Sequence, residues 1–318
     1  MKNLKSDYFL QLLATYLNDE RLMNIFRYSK INQRKLKLGI DKYIKYHNNI
    51  EVEIIPQIGE NVFFNNEYSG VIKVWIDNHE IKIPINKIEN LEDAKVIKLA
   101  FNYKEVNINE LFAFCDGIRE ISFTKCRLRN ITNLNSLFSC CSNLKKVNFN
   151  KLNTKNVQDF SNMFYHCTSL EEFDLSSIDT SKAINMSFMF CYCSNLNRII
   201  LDNKNSSTIT DLSGMFCHCE KLKKIKINNF NTINVINMSE MFCYCGNITE
   251  LDLSAFNFSN VKNMEKMVAF TSNLKFINLS SLKKNKDINM LELFFPKNKN
   301  DIIIEIVSQD LLSPEAFI

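Results

Sequence analysis

The sequence contains little glycine and little proline, with 6 and 4 residues in a chain of 318. Phosphate-binding loops depend on closely spaced glycines, and the glycines of this chain stand far apart from one another. We therefore expect no glycine-rich nucleotide motif. Neither sign of charge dominates, because 39 basic and 35 acidic side chains leave a net charge of +4. Such a balance favours neither a nucleic acid nor a membrane surface as partner.

Long apolar runs are also missing. No stretch reaches the 18 or so apolar residues that a membrane helix needs, and the apolar segment 8–17 ends in polar residues without a small-residue cleavage site. We therefore expect a soluble, cytoplasmic protein. In a reducing compartment, the eleven cysteines are expected to be free thiols rather than a disulfide framework.

What the sequence does contain is a repeat of 26 residues. Its anchor position recurs in eight units without insertion, at Phe112, Phe138, Phe164, Phe190, Phe216, Phe242, Val268 and Phe294. Five residues before each anchor stands an Asn or Asp, a side chain suited to capping a helix N-terminus, at Asn107, Asn133, Asp159, Asn185, Asp211, Asn237, Asn263 and Asn289. Apolar residues then follow at helical spacing, which predicts a short capped helix in each unit.

Each unit continues into a segment with alternating apolar residues, as in Leu170, Phe173 and Leu175, which predicts a short strand. A single unit has no means of burying its apolar face alone, so the units must stack. The predicted fold is an α/β repeat solenoid of about eight coils over residues 102–292. We expect a helical leader at 1–49 and a β-rich cap at 50–101 before it, and a capping coil at 293–318 after it.

The repeat letters resemble those of a known family. Residues 164–177 read Phe-Tyr-His-Cys-Thr-Ser-Leu-Glu-Glu-Phe-Asp-Leu-Ser-Ser, and Asn185-Met186-Ser187 follows. This pattern resembles the BspA-like leucine-rich-repeat family, whose units read M-F-x-x-C-x-x-L-x-x-L-D-L-S and N-M-S, over about residues 105–295. The resemblance implies a leucine-rich-repeat-like fold and a role in binding other macromolecules. Bacterial members are often surface proteins, so a surface adhesin is one alternative function.

The leader is similar to a second family. Residues 7–17, followed by Leu22, Ile25 and Phe26, have the spacing of an F-box. This resemblance covers about residues 6–30 and implies that the leader binds a Skp1-like adaptor, with the chain serving as the substrate-recognition subunit of a ubiquitin ligase. Two ordinary amphipathic helices would give the same spacing, and that alternative stays open.

The cysteines suggest two kinds of chemistry. Thiolate and imidazole are preferred zinc donors, and His166 and His218 each precede a cysteine. One cysteine column lies on the predicted inward stripe, where a thiol packs and a divalent ion does not, at Cys115, Cys141, Cys167, Cys193, Cys219 and Cys245. Adjacent helical side chains diverge by about 100°, which disfavours a Cys-His catalytic pair. We therefore predict no metal, no cofactor and no catalytic residue, and leave a redox or metal role open only for a second column that we expect to be half-exposed, at Cys191, Cys217 and Cys243.

The outward residues of the predicted strands alternate in charge from coil to coil. With strands about 4.8 Å apart, the expected neighbours are Lys146–Glu172, Glu172–Arg198, Lys224–Glu250 and Lys226–Asp252. These charges form either a self-satisfied ladder or an extended binding face. We predict a non-catalytic protein–protein interaction module with a protein partner and neither a nucleic-acid nor a membrane partner. The predicted partner-binding residues are Lys146, Glu172, Arg198, Ile200, Lys224, Lys226, Glu250, Asp252 and Phe276.

Overall fold

The computed structural model describes residues 49–63, 69–81, 87–88, 93–103, 108–126, 128, 131–202, 206–227, 229–282, 288–296 and 301–306. The predicted helical leader, with its F-box-like segment, lies outside these residues except for its last position. The strands are β1 (Asn49–Pro56), β2 (Val62–Phe63), β3 (Ser69–Ile76), β4 (His79–Ile81), β5 (Lys87–Ile88), β6 (Ile97–Tyr103), β7 (Ile118–Cys126), β8 (Lys146–Asn148), β9 (Glu172–Asp174), β10 (Arg198–Leu201), β11 (Lys224–Ile227), β12 (Glu250–Asp252), β13 (Phe276–Asn278) and β14 (Ile303–Glu305).

The first sheet joins the N-terminal strands to the first coils. Its order is β4-β3-β6-β1-β7-β8, with antiparallel pairs as far as β7 and a parallel pair between β7 and β8. The β3–β4 hairpin turns at Asp77 and Asn78, which both have positive φ. The change to parallel pairing at β7 marks the start of the repeat. Strand β1 pairs with the first edge of that repeat and so keeps it from pairing with another chain.

Beyond β7, each strand belongs to one coil. Strands β9, β10 and β11 form one parallel sheet in 26-residue register. Strands β12, β13 and β14 form another, with a step of 26 residues from β12 to β13 and of 27 residues from β13 to β14. The Asn and Asp residues that stand five positions before each anchor, which we call the Asx column, run along a different side of the coils. Among the described residues, six parallel bridges join its seven members from Asn133 to Asn289, whereas Asn107 lies outside the described residues. The solenoid therefore has about seven coils, where the sequence predicted about eight.

The predicted capped helices are wrong. In the described part of each coil, the residues after the Asx position form consecutive turns. The one helical segment that the structure describes in full is the 3₁₀ turn Leu175–Ser177. Backbone N–H groups alternate between two directions: that of Leu137 donates to the carbonyl three residues back, whereas that of Phe138 donates to Met163 of the next coil. In an α-helix, each N–H beyond the first turn donates to the carbonyl four residues back.

Left-handed residues accompany this alternation. Two positions of each coil, two residues before and two after the anchor, have φ between 53° and 61°, at Ser136 and Cys140, Asn162 and His166, Phe188 and Tyr192, Gly214 and His218, Glu240 and Tyr244, and Lys266 and Phe270. A residue in this region interrupts a right-handed helix. The segment is therefore a pair of turns. The N–H groups that have no acceptor within the turns donate to the next coil and so join the coils.

The capping hydrogen bond is present although the helix is absent. In all seven coils, the Asx Oδ1 accepts the backbone N–H two residues further on, at 2.7 to 3.1 Å from Asn133 to Asn289. This contact is an Asx turn. The Asn and Asp side chains of the Asx column thus accept a hydrogen bond from a nearby backbone N–H. Such a bond occurs both at helix N-termini and in turns, so the column alone does not distinguish the two.

The core is a set of columns that run along the stack. The anchor rings from Phe112 to Phe242 stack face to face, with centroids 5.4 to 5.7 Å apart. The inward cysteines are fully buried. The thiol of each, from Cys141 to Cys245, donates to the carbonyl oxygen of the anchor one coil back, at 2.9 to 3.1 Å. A small side chain with a weak donor therefore joins consecutive coils inside the core.

The prediction that Cys191, Cys217 and Cys243 are half-exposed is wrong. Their exposed fractions are 2%, 5% and 3%. Together with Ala269 they form a second apolar cluster, against which Tyr165, Phe188, Phe270 and Phe295 pack. In a helix these side chains would face away from the core, but a pair of turns lets large side chains on the outer side fold over them.

Candidate functional site

The nine predicted partner-binding residues lie on consecutive strands from β8 to β13 and alternate with buried or half-buried residues. Seven of them carry a charge and are exposed, whereas Ile200 and Phe276 are half-buried. The arrangement follows from the strand period of two, because the intervening residues, such as Phe173 and Ile199, face the core. We call these nine residues the strand strip.

One predicted ion pair of the strand strip is present. Parallel register places Glu172 opposite Arg198, and Arg198 Nη1 lies 3.5 Å from Glu172 Oε2. The two side chains remain 49% and 70% exposed, so the pair contributes only about 0 to 1 kcal/mol. This contact therefore does little to hold the solenoid together.

The other predicted neighbours do not pair in the sheet. Lys146 lies opposite Glu120 of β7, because β8 belongs to the first sheet and β9 to the second. Strands β11 and β12 also lie in different sheets, so neither Lys224 nor Lys226 has a strand partner on β12. Among the described residues of the strip, Glu172–Arg198 is the single ion pair within 4 Å. The strip is therefore no closed ladder of ion pairs.

The interruption between β8 and β9 coincides with a depression of about 510 Å³. Val147, Leu170 and Phe173 line its apolar part, and the charged and polar lining residues are Lys145, Lys146, Glu172, Asp174, Ser177 and Arg198, with Ile200 beside them. We call this depression the strand groove. It combines an apolar floor with a rim of both charges.

Phe173 distinguishes the floor of the strand groove from the neighbouring coils. It occupies the column that Val147 and Ile199 hold in the neighbouring coils, and its ring tilts against the anchor rings of Phe164 and Phe190 at 5.1 and 5.2 Å. The gap between β11 and β12 has aliphatic residues, Ile225 and Leu251, in the same column, so an aromatic residue distinguishes only the gap that contains the groove. Sequence reasoning missed the groove, although an aromatic residue in an aliphatic column was the available signal.

The described residues bear on the metal and thiol chemistry that the sequence suggests. They contain no group of three or more His, Cys, Asp or Glu side chains that could hold a metal ion. Hydrogen bonding to the Cys191 thiol, together with burial, raises the pKa of Cys217 to about 12, and burial raises that of Cys126 to about 11. A reactive thiol needs a lowered pKa. Within the same residues, no helix has the length and apolar character of a membrane span.

The geometry defines a repeat solenoid with an exposed, charged strand face. The chain belongs to the family described as "Mycoplasma protein of unknown function, DUF285", whose model matches residues 106–203 and 197–304, together more than half of the chain. Both matches fall on the repeat. No curated protein matches the chain.

Two solved structures are similar to about half of the chain. Toll, in the Toll–Spatzle complex of Drosophila, is 16% identical with a TM-score of 0.33, over 51% of this chain and 20% of Toll. TLR13, in its complex with ssRNA13, is 14% identical with a TM-score of 0.22, over 55% of this chain and 32% of TLR13. The chain thus spans a third or less of either protein, and likenesses this weak carry no argument about function.

Proposed function

We propose that this chain is a non-catalytic protein–protein interaction module that binds its partner through the strand strip, with the strand groove as the anchor site. The observation that supports the proposal is the groove itself, in which an apolar floor is surrounded by exposed charges. An apolar centre within a polar rim is typical of binding hot spots. The partner would place one apolar side chain on Phe173 and polar groups around it.

The size of the groove supports a role as an anchor within a larger interface. Its volume of about 510 Å³ lies within the range of about 300 to 1,000 Å³ for ligand pockets. A stable protein interface covers about 800 Å² on each partner, which is more than the groove offers. The exposed residues of β10 to β13 would supply the remaining contact area.

Rigidity of the strand face also supports the proposal. Strands β9, β10 and β11 are hydrogen-bonded to one another, and Leu170 and Ile199 beneath them are 1% and 0% exposed. A surface that is ordered before binding loses less conformational freedom when it binds. The strip would therefore meet its partner with little rearrangement.

A crosslinking experiment tests the proposal in two stages. A photo-crosslinking amino acid is placed at the groove residue Ser177 and, as a control, at the exposed Lys155, which does not line the groove. The partner recovered only from the groove position is then purified and titrated against wild-type and Lys146→Glu chains. We expect Lys146→Glu to bind at least about tenfold more weakly, because a rim charge is reversed, and to unfold like the wild type.

Equal recovery of proteins from both crosslinker positions would contradict the proposal. So would a partner whose affinity is the same for wild-type and Lys146→Glu chains. Because Lys146 is exposed, a change in affinity without a change in unfolding isolates binding from folding.

The remaining proposals concern the location of the chain and its two alternative roles, as an F-box-type subunit or as a surface adhesin. A cytoplasmic location is supported by the eleven free cysteines, which fit a reducing compartment. An F-box-type role would place a Skp1-like adaptor on the leader, and mixing the full chain with purified Skp1 tests it, with Leu13→Asp as the variant expected to abolish binding. Display of the chain on the cell surface would instead support the adhesin.

A further inference from the structure

A second groove lies on the limb of the coils between the strand and the Asx column. Its volume is about 730 Å³, and it shares no lining residue with the strand groove. Two columns of side chains line it, one with Lys182, Thr208, Asn234 and Asn260, the other with Gln158, Ile184, Thr210, Ile236 and Lys262. We call it the limb groove. Buried residues such as Ala183 and Val235 separate the two columns and fix their alternation.

The limb groove contains two exposed isoleucines in one column. Ile184 and Ile236 are each 43% exposed and stand two coils apart, which is about 10 Å at the spacing of paired strands. Single exposed apolar residues are ordinary on protein surfaces. Two that share one column and one depression form a place where a partner's apolar side chains gain burial.

The polar side chains around the isoleucines are held in place. Thr208 Oγ1 donates to the carbonyl oxygen of Ala183 at 2.6 Å, and Asn260 Nδ2 donates to that of Ile233 at 2.7 Å. Each bond joins a side chain to the backbone of the preceding coil. The groove is therefore ordered before any partner arrives, which lowers the entropy lost on binding.

The charges of the limb groove all have one sign. None of its lining residues is acidic, and its two cations are Lys182, in the same coil as Ile184, and Lys262, one coil beyond Ile236. They stand three coils apart, so their backbones are separated by about 15 Å. A partner segment with carboxylates at both ends complements this arrangement.

The spacing of these groups determines the form of the segment. A segment in the extended polyproline II conformation rises about 3.1 Å per residue with three residues per turn, so apolar side chains three residues apart lie on one face about 9 Å apart and match the separation of Ile184 and Ile236. Acidic residues immediately outside that pair then lie about 16 Å apart, within reach of the two lysines. The fitting pattern is acidic, apolar, any, any, apolar, acidic.

We propose that the limb groove binds an extended acidic peptide segment of a partner protein, in which two apolar side chains three residues apart contact Ile184 and Ile236 and the flanking carboxylates pair with Lys182 and Lys262. This surface is separate from the strand strip. A chain with both surfaces joins two different partners.

The test uses two fluorescein-labelled hexapeptides and the full chain. One peptide has the sequence Glu-Val-Thr-Thr-Val-Glu, and the other has lysine in place of each glutamate. In fluorescence anisotropy at about 50 mM salt, where screening is weak, we expect saturable binding of the glutamate peptide and at least about tenfold weaker binding of the lysine peptide. Ile236→Asp should weaken binding of the glutamate peptide by at least about tenfold.

Ile233→Asp is the matched control. Ile233 is also 43% exposed but does not line the groove, so this variant should bind the glutamate peptide as the wild type does. Lys146→Glu, in the strand strip, should also leave it unchanged. Failure of the peptide to bind would therefore leave the proposed role of the strand strip standing.

Four results would overturn the proposal. Three of them are no binding of the glutamate peptide at 1 mM, equal affinity for the two peptides, and equal loss of binding in Ile236→Asp and Ile233→Asp. Self-association of the chain that Ile236→Asp abolishes would assign the groove to a second copy instead, and would also overturn it.

Discussion

A single methyl group at Gly214 is expected to destabilise the solenoid, for a reason that the neighbouring coil supplies. A Cβ at Gly214 would lie 2.3 Å from Cε1 and 2.4 Å from Cδ1 of Phe188, far inside van der Waals contact. Gly214 also has φ of +58°. The same position in the other coils holds non-glycine residues at φ of 51° to 57°, so the backbone conformation by itself is tolerated.

The expected magnitude combines these two effects. A left-handed non-glycine residue costs about 1 to 2 kcal/mol, and overpacking against the Phe188 ring costs a further 1 to 3 kcal/mol or so. Gly214→Ala should therefore lower the free energy of unfolding by about 2 to 5 kcal/mol, measured by urea denaturation and linear extrapolation. Gly246→Ala is the control, because the nearest atom to its added Cβ is Ser272 Oγ at 3.5 Å. It should cost nothing.

A double-mutant cycle isolates the contact between the coils. In Gly214→Ala/Phe188→Ala the new Cβ no longer meets a ring, so the overpacking disappears and the backbone effect remains. The coupling free energy between the two sites should be about 1 to 3 kcal/mol. If the double variant is as unstable as the sum of the two single variants, Phe188 does not lie over Gly214 and the columns are not aligned as described.

The remaining predictions concern the core, a histidine and the thiols. Leu196→Asp places a charge at a fully buried position and should unfold the repeat at a much lower urea concentration than Lys224→Ala. Lys224 is exposed, and surface changes cost at most about 0.5 kcal/mol. Equal urea midpoints for the two variants would refute the register. Burial lowers the pKa of His218, so its NMR titration midpoint should lie below 6.5. The free energy of unfolding should fall as the pH drops below 6.5, because the unfolded histidine binds a proton that the folded one does not. If a His218→Phe variant keeps this pH dependence, another group is responsible for it. Iodoacetamide at pH 8 should label the half-buried Cys140 well before the fully buried Cys193, as read by mass spectrometry, and rapid labelling of Cys193 would contradict its burial.

The columns of the solenoid are predictable from the sequence because stacking imposes a constant step. Each buried position must meet its equivalent in the next coil, so Phe164 and Phe190 stack and the inward cysteines align. The Asx column is predictable for a similar reason, since its side chain binds an N–H only two residues away. Local chemistry and periodicity therefore determine which residues face the core.

The local backbone conformation is less predictable. Apolar residues at helical spacing also suit a pair of turns, and the difference lies in N–H groups that donate to a coil 26 residues away in sequence. The left-handed positions give little compositional warning, because residues as different as Phe188, Glu240 and Lys266 occupy them. Glycine and asparagine, which signal such a position, occur there in only two of the described coils, as Gly214 and Asn162.

The two grooves depend on single positions that differ from the equivalent positions in the other coils. The strand groove arises where β8 and β9 do not pair, and the limb groove where Ile184 and Ile236 interrupt a polar column. Both depend on a departure from the repeat rather than on the repeat. In each column, the residue that differs from its equivalents in the other coils therefore indicates where a groove lies.

The outer aromatic column shows why such a chain needs many coils. Tyr192, His218, Tyr244 and Phe270 all have positive φ, at a cost of about 1 to 2 kcal/mol each, yet their rings stack at 4.2 to 4.3 Å. Each stacked pair returns about 0.5 to 1.5 kcal/mol beyond its buried area. A coil alone would bear the strain without the contact, so the strain is offset only when a neighbour is present. The edge of Phe295 against Phe270 supplies that neighbour at the C-terminal end of the column.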